Sequence, residues 1–311
     1  MQAPFASLVA PEPVGASVRL RVLSLGAGVQ STTLALMATH GEIRPMPDCA
    51  IFADTGWEPP AVYRHLAWLM APGVLAFPVH VVSAGNIRDD LLAEARGRRR
   101  ASIPAYTRTA VPAGKERPLF PKPDDRIVGL RRSSDGEDSI GMIHRHCTAD
   151  YKVVPIRRKV RELTGIAGWR SPSWPVAEQW IGISLDELVR IKPSMEDWQV
   201  NRWPLVERRM TRRDCLRWLE RHGYPEPPKS ACIGCPFHSD AAWRRLRDEE
   251  PEAWADAVLV DRAIRTGFRG IRGTLYLHRS AVPLELADLS DGADPGQLDL
   301  WPNECEGLCG V

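Results

Sequence analysis

The sequence predicts an α/β protein built on a parallel sheet with helices on both faces. Three observations carry this. Residues 18–41, "VRLRVLSLGAGVQSTTLALMATHG", read as a β-rich run, a glycine-bearing loop and an apolar helix. "DCAIFADTGW" repeats the pattern as a second buried strand, followed by a helical stretch, "PPAVYRHLAWLM". "FPVHVVSAG" adds a third strand. Strands that alternate with helices build parallel sheets, because a crossover helix returns the chain to the same end.

Further along, "ADYKVVPIRRKVRELTG" predicts a helix, with Val153, Ile156, Val160 and Leu163 spaced by three and four on one face. Pro155 is tolerable there only in the first turn. "EQWIGISLDE" reads as a fourth strand leaving into a loop. "MTRRDCLRWLERHG" predicts a helix with Thr211 as N-cap, Asp214 three residues on and Gly223 just past the end. A further helical stretch runs over about 240–265, and no internal repeat is present.

The bulk numbers suit a soluble globular chain: 311 residues, 44% apolar, 26% charged. A net charge of +2 singles out no partner. No apolar run approaches the roughly 18–20 residues that span a bilayer. The Pro/Ala-rich residues 1–18 read as a disordered tail without the basic start of a secretory signal. Seven cysteines, an odd number in a chain of this size, fit metal, cluster or redox use in the cytoplasm better than a disulfide scaffold. Expected domains are a nucleotide-binding α/β domain over 19–205, with a basic insertion at 96–136, and a helical, cysteine-bearing region over 206–311.

Residues 96–132 hold eleven Lys/Arg against three acidic residues. The bland reading is a solvated loop. The functional reading, which we favour, is a lid or arm for an anionic partner such as nucleic acid.

"SLGAGVQST" follows a strand and opens a helix, where backbone N–H groups and the helix dipole can hold a phosphate. Gly26 and Gly28 permit close approach, and Ser31 and Thr32 offer hydroxyls from the first turn. The loop is neither a Walker loop nor a dinucleotide fingerprint. The alternative is a plain tight turn. Asp54, at the C-terminal end of the second strand, stands on the ligand edge of such a sheet and would take a ribose hydroxyl or magnesium. Its alternative is an N-cap.

The blocks "SLGAGVQSTTLAL", "IFADTGWEPPAVYRHLAWL", "CTADYKVVPIRRKV", "WIGISLDE" and "WPLVERRMTRRDCLRWLERHG" resemble, in that order, the phosphoadenosine phosphosulfate reductase family of the adenine nucleotide alpha hydrolase, or PP-loop, superfamily. The resemblance spans about 22–239. It implies a five-stranded Rossmann-like sheet with an adenine nucleotide at the first loop. Ser24, Gly26, Gly28, Gln30, Ser31 and Thr32 would surround the phosphates. Asp54, Thr55, Gly56 and Gly182 would lie at the nucleotide edge, and Lys152 would reach an anionic group. Two departures stand out. Gln30 replaces the Asp of the S-G-G-x-D-S loop in the ATP-cleaving branch, which is closer to the reductase branch. The reductases end in E-C-G, whereas this chain ends "NECEGLCGV".

Cluster-bearing members of the family have a Cys-Cys pair and, about eighty residues later, a C-x-x-C. Here His146-Cys147 is followed by Cys232 and Cys235, so the resemblance implies a thiolate-held 4Fe-4S cluster. Cys305, Cys309, His146 or exogenous sulfide would complete it. Zinc held by Cys147, Cys232, Cys235 and His238 is an alternative, as is no metal. Cys305 and Cys309 read as exposed reactive thiols, or else as incidental to a tail. Cys49 and Cys215 read as core thiols.

Three functions compete. The first is an ATP-dependent sulfur-transfer enzyme acting on an adenylated acceptor. The second is a sulfonucleotide reductase using Cys305 or Cys309 and a thioredoxin partner, with Lys152 in the catalytic set. The third is a non-catalytic nucleotide- and zinc-binding component.

Overall fold

The computed structural model describes residues 18–96, 103–110, 127–132, 138–268 and 271–290, with the backbone alone over 127–132. The expected α/β architecture is present. In chain order, β1 (Leu20–Leu25), α1 (Val29–Thr39), β2 (Cys49–Asp54), α2 (Pro60–Leu69), β3 (Val79–Ser83) and α3 (Ile87–Ala95) form the first half. After three strands of a second sheet, β4 (Tyr106–Ala110), β5 (Ile127–Arg132) and β6 (Asp138–Ile143), come α4 (Val154–Leu163), β7 (Ala177–Ile181) and β8 (Gln199–Arg202). The C-terminal part holds α5 (Pro204–Glu207), α6 (Arg212–Arg221), α7 (Asp240–Glu249), α8 (Pro251–Ile264) and β9 (Thr274–Tyr276).

The main sheet has five strands in the order β3-β2-β1-β7-β8, all parallel. Its inner strands are buried almost throughout because both faces are covered: "CAIFAD" is nearly all apolar, and "AEQWI" buries Glu178 and Gln179 as well. On one face α1 is buried along nearly its whole length, so Leu34, Leu36 and Met37 pack with Phe52, Leu66, Trp180 and Leu219. On the other, Ile156 and Val160 of α4 meet Val22, Ile51 and Trp198.

The capping expected at α6 is present. The Thr211 hydroxyl accepts from the Asp214 N–H at 3.2 Å, and the Asp214 carboxylate accepts from the Thr211 N–H at 3.0 Å. Gly223 follows at φ 73°, the left-handed conformation that glycine adopts freely.

Four details differ from expectation. The 149–163 helix opens with a π turn, Ala149–Val153, before α4. Leu163 is 37% exposed, because the seam of α4 narrows to Ile156 and Val160. The 240–265 stretch is two helices, broken where Glu250 leaves helical geometry ahead of Pro251. The basic insertion, read as a loop or lid, contains β4 and β5 within an antiparallel sheet of order β5-β6-β4-β9. Local sequence hides this, since β4 pairs with β9 about 170 residues away (Tyr106 with Tyr276). A C-terminal region expected to be helix and loop thus supplies a strand. A third core, including Trp57, Leu91, Ile143, Tyr151, Ile233, Trp243 and Leu275, joins this sheet to α3, α7 and α8. No helix among the described residues is long and apolar enough to cross a membrane.

Candidate functional site

The chain leaves β1 toward β2 and β3 on one side and returns as β7 and β8 on the other. This reversal opens a crevice outside the C-terminal ends of β1 and β7, where open parallel sheets take ligands. The β1–α1 loop stands there. Ala27 adopts φ 56°, a conformation that L-residues avoid at about 1–2 kcal/mol and that loops keep where geometry demands it. Gly28 is the N-cap of α1 and carries no side chain to cap it, and the first turn has no acidic residue. The positive end of the helix is therefore not neutralised by its own side chains. Gly182, just past β7, seats the helix: a Cβ there would lie 3.0 Å from the Ser31 N.

The loop's side chains are more internal than expected. The Ser31 hydroxyl accepts from the Gly26 N–H at 3.1 Å and lies 3.4 Å from the Gly28 carbonyl, so it braces the turn. Thr32 is fully buried and bonds His65 Nε2 at 3.0 Å, pointing into the packing against α2. Burial pushes His65 down to about 4, so its ring is neutral at pH 7. Ser24 accepts from Gln179 across the β1–β7 pair at 2.5 Å. The Gln30 amide runs to Glu187 at 3.3 Å and receives the Arg212 guanidinium at 3.3 Å. Ser24, Gln30 and Thr32 thus shape the loop rather than present hydroxyl or amide groups at its mouth. What the loop leaves to offer an anion is its backbone N–H groups at the uncapped start of α1.

Asp54 ends β2 as expected, and its Oδ1 accepts from the Gly56 N–H and the Tyr63 hydroxyl, each at 2.8 Å. It does not cap α2, whose N-cap is Pro59. Gly56 needs its freedom: φ is 72°, and a Cβ would meet the Asn86 backbone at 3.1 Å.

The C-x-x-C turn approaches this same edge. Cys147, Cys232 and Cys235 border one cavity with Thr55, Trp57 and Lys152. The Thr55 hydroxyl is 3.3 Å from the Cys232 sulfur, and Glu58 Oε1 is 3.8 Å from it. Lys152 Nζ lies 3.6 Å from Glu58 Oε1, and both side chains are at most 5% exposed. Sequence reasoning missed Glu58. The signal was a carboxylate three residues after Thr55, whose hydroxyl donates to it at 3.2 Å. Burial, and then Glu58, hold the Cys232 thiol well above its ordinary value.

The other expected ligands fall elsewhere. His146 is exposed, with its ring 4.7 Å from that of His144, and does not border the cavity. His238 Nε2 bonds the Cys232 carbonyl at 3.0 Å and pins the turn from behind. Cys305 and Cys309 lie outside the described residues. Cys49 and Cys215 are core thiols, pushed up by burial to about 11 and about 12. The three cavity thiols suit a thiolate-bound metal in kind. Among the described residues, no three His, Cys, Asp or Glu side chains already stand as a metal-ligand set.

The fold and site define an α/β protein with a glycine-bearing strand-to-helix loop and a cysteine cavity on one sheet edge. The chain matches no protein-family model. It matches no curated protein sequence either.

Proposed function

We propose that the chain is an adenine-nucleotide-dependent sulfur-transfer enzyme, akin to the phosphoadenosine phosphosulfate reductases. It would bind ATP or a related adenylate at the β1–α1 loop and an iron–sulfur cluster at Cys147, Cys232 and Cys235. One observation carries this reading: the anion loop and the cysteine turn touch. A methyl group on Gly28 would lie 3.6 Å from the Ser230 Cβ, and Thr55, next to Asp54, reaches Cys232. Sulfur chemistry at the cysteines would then occur beside a nucleotide phosphate.

The chain's own groups have definite tasks in this reading. The loop N–H groups and the α1 dipole hold a phosphate and stabilise the charge that builds on it. Asp54, fixed by Gly56 and Tyr63, faces a ribose hydroxyl or magnesium. Glu58, 3.6 Å from the Lys152 Nζ, holds that side chain in place beside the cavity. A bound cluster would supply thiolate-held iron as a resting place for sulfur. In the alternative zinc set, His238 does not border the cavity that the three cysteines share, and its Nε2 is taken by the Cys232 carbonyl, so only Nδ1 could serve as a ligand. Cys305 and Cys309 would furnish a terminal thiol, and the basic 96–132 segment would hold a nucleic-acid acceptor.

The test is anaerobic purification of the full chain, with iron, zinc and sulfide analysis and a pyrophosphate-release assay with ATP. Iron and sulfide lost in Cys232→Ser, together with pyrophosphate release stimulated by RNA or DNA, are expected. A colourless zinc protein that releases no pyrophosphate with any nucleic acid overturns the reading.

A further inference from the structure

We infer that Ser230 is a phosphate-binding residue, donated to the β1–α1 loop by the cysteine-bearing segment. The nucleotide would then be gripped from both sides. This rests on the nucleotide reading above and deepens it.

Ser230 is 2% exposed, and its Oγ has no hydrogen-bond partner. Buried hydroxyls nearly always have one, because burying them unpaired is unfavourable. Its surroundings name the partner. Ser230 packs on Gly28, the N-cap of the eleven-residue helix α1, which lacks a side-chain cap and any first-turn acid. A negatively charged group there would accept from the helix N–H groups and from the Ser230 hydroxyl together. The hydroxyls supplied by the loop itself do not serve this role: Ser31 braces the turn and Thr32 faces His65. Ser230 is also two residues before Cys232, and the Ile233 N–H is anchored on the Trp57 carbonyl at 2.8 Å. A phosphate bound to Ser230 would therefore fix the position of the cysteine turn. That would tie nucleotide occupancy to the cysteine cavity.

Titration calorimetry of the full chain with ATP and with adenosine tests this, using wild type, Ser230→Ala and Ser230→Thr. Loss of one hydrogen bond to a charged phosphate predicts roughly tenfold weaker ATP binding in Ser230→Ala. Adenosine affinity should be unchanged, and Ser230→Thr should retain ATP binding. Without nucleotide, the urea midpoint of Ser230→Ala should equal or exceed that of wild type, since no protein bond is removed. If wild type prefers ATP to adenosine and Ser230→Ala binds ATP equally well, the inference is overturned while the nucleotide reading stands. If wild type binds ATP no better than adenosine, the nucleotide reading itself fails, and the inference falls with it.

Discussion

Gly234, inside the C-x-x-C turn, tests how the cysteine cavity is built. A Cβ on Gly234 would lie 2.5 Å from Trp57 Cζ3, and closer still to Cη2. The indole has nowhere to go. It is 4% exposed, and its Nε1 donates to Asp256 at 2.8 Å. Asp256 is itself held by Arg88, whose Nε lies 2.9 Å from its Oδ1. Gly234→Ala must therefore push the turn away from Trp57 or break the indole–carboxylate bond. Overpacking of this severity costs about 3 kcal/mol, the upper end of the usual range. Thermal unfolding should then fall by on the order of 6 °C. Urea unfolding followed by circular dichroism measures the first quantity, and calorimetry the second. The same variant should react faster than wild type with a thiol reagent at Cys232 and Cys235, because the turn that partly covers them is displaced. Trp57→Leu combined with Gly234→Ala should be less destabilised than the sum of the single changes, by about 1 kcal/mol or more. A Gly234→Ala protein with wild-type stability and wild-type thiol reactivity would refute the packing argument.

Two further outcomes follow from buried charge. Lys152→Met should destabilise by about 3–5 kcal/mol in urea unfolding, because it strands the Glu58 carboxylate in the interior. Adding Glu58→Gln should restore part of the loss. His65 gives a pH signature: its folded value of about 4 lies below the ordinary 6.5, so between these limits the unfolded chain binds a proton that the folded one refuses. Stability is therefore full above pH 6.5 and declines as pH falls toward 4, by on the order of 3 kcal/mol in all. His65→Gln should lose this slope; equal slopes in both proteins, from urea midpoints at several pH values, would sink the assignment.

The sequence by itself determined what local chemistry controls. Alternating buried strands and helices announced the parallel sheet, because a run such as "CAIFAD" is stable only when covered on both faces. Thr211, Asp214 and Gly223 marked the ends of α6, because capping is settled within a few residues. The glycines of the β1–α1 loop marked a tight strand-to-helix turn for the same reason. Tertiary structure alone decided where side chains with several options point. Thr32 has a hydroxyl suited to a phosphate, and His65, thirty-three residues on, takes it. Gln30 is drawn to Glu187 and Arg212, and His238 to a backbone carbonyl. The second sheet was hidden in part because its β4–β9 pairing joins segments about 170 residues apart, and pairing energy of that kind leaves no local mark. The meeting of Gly28 with Ser230 and of Thr55 with Cys232 was hidden for the same reason. It depends on how the third core packs the C-x-x-C turn, through Ile233 and Trp57, onto the edge of the sheet.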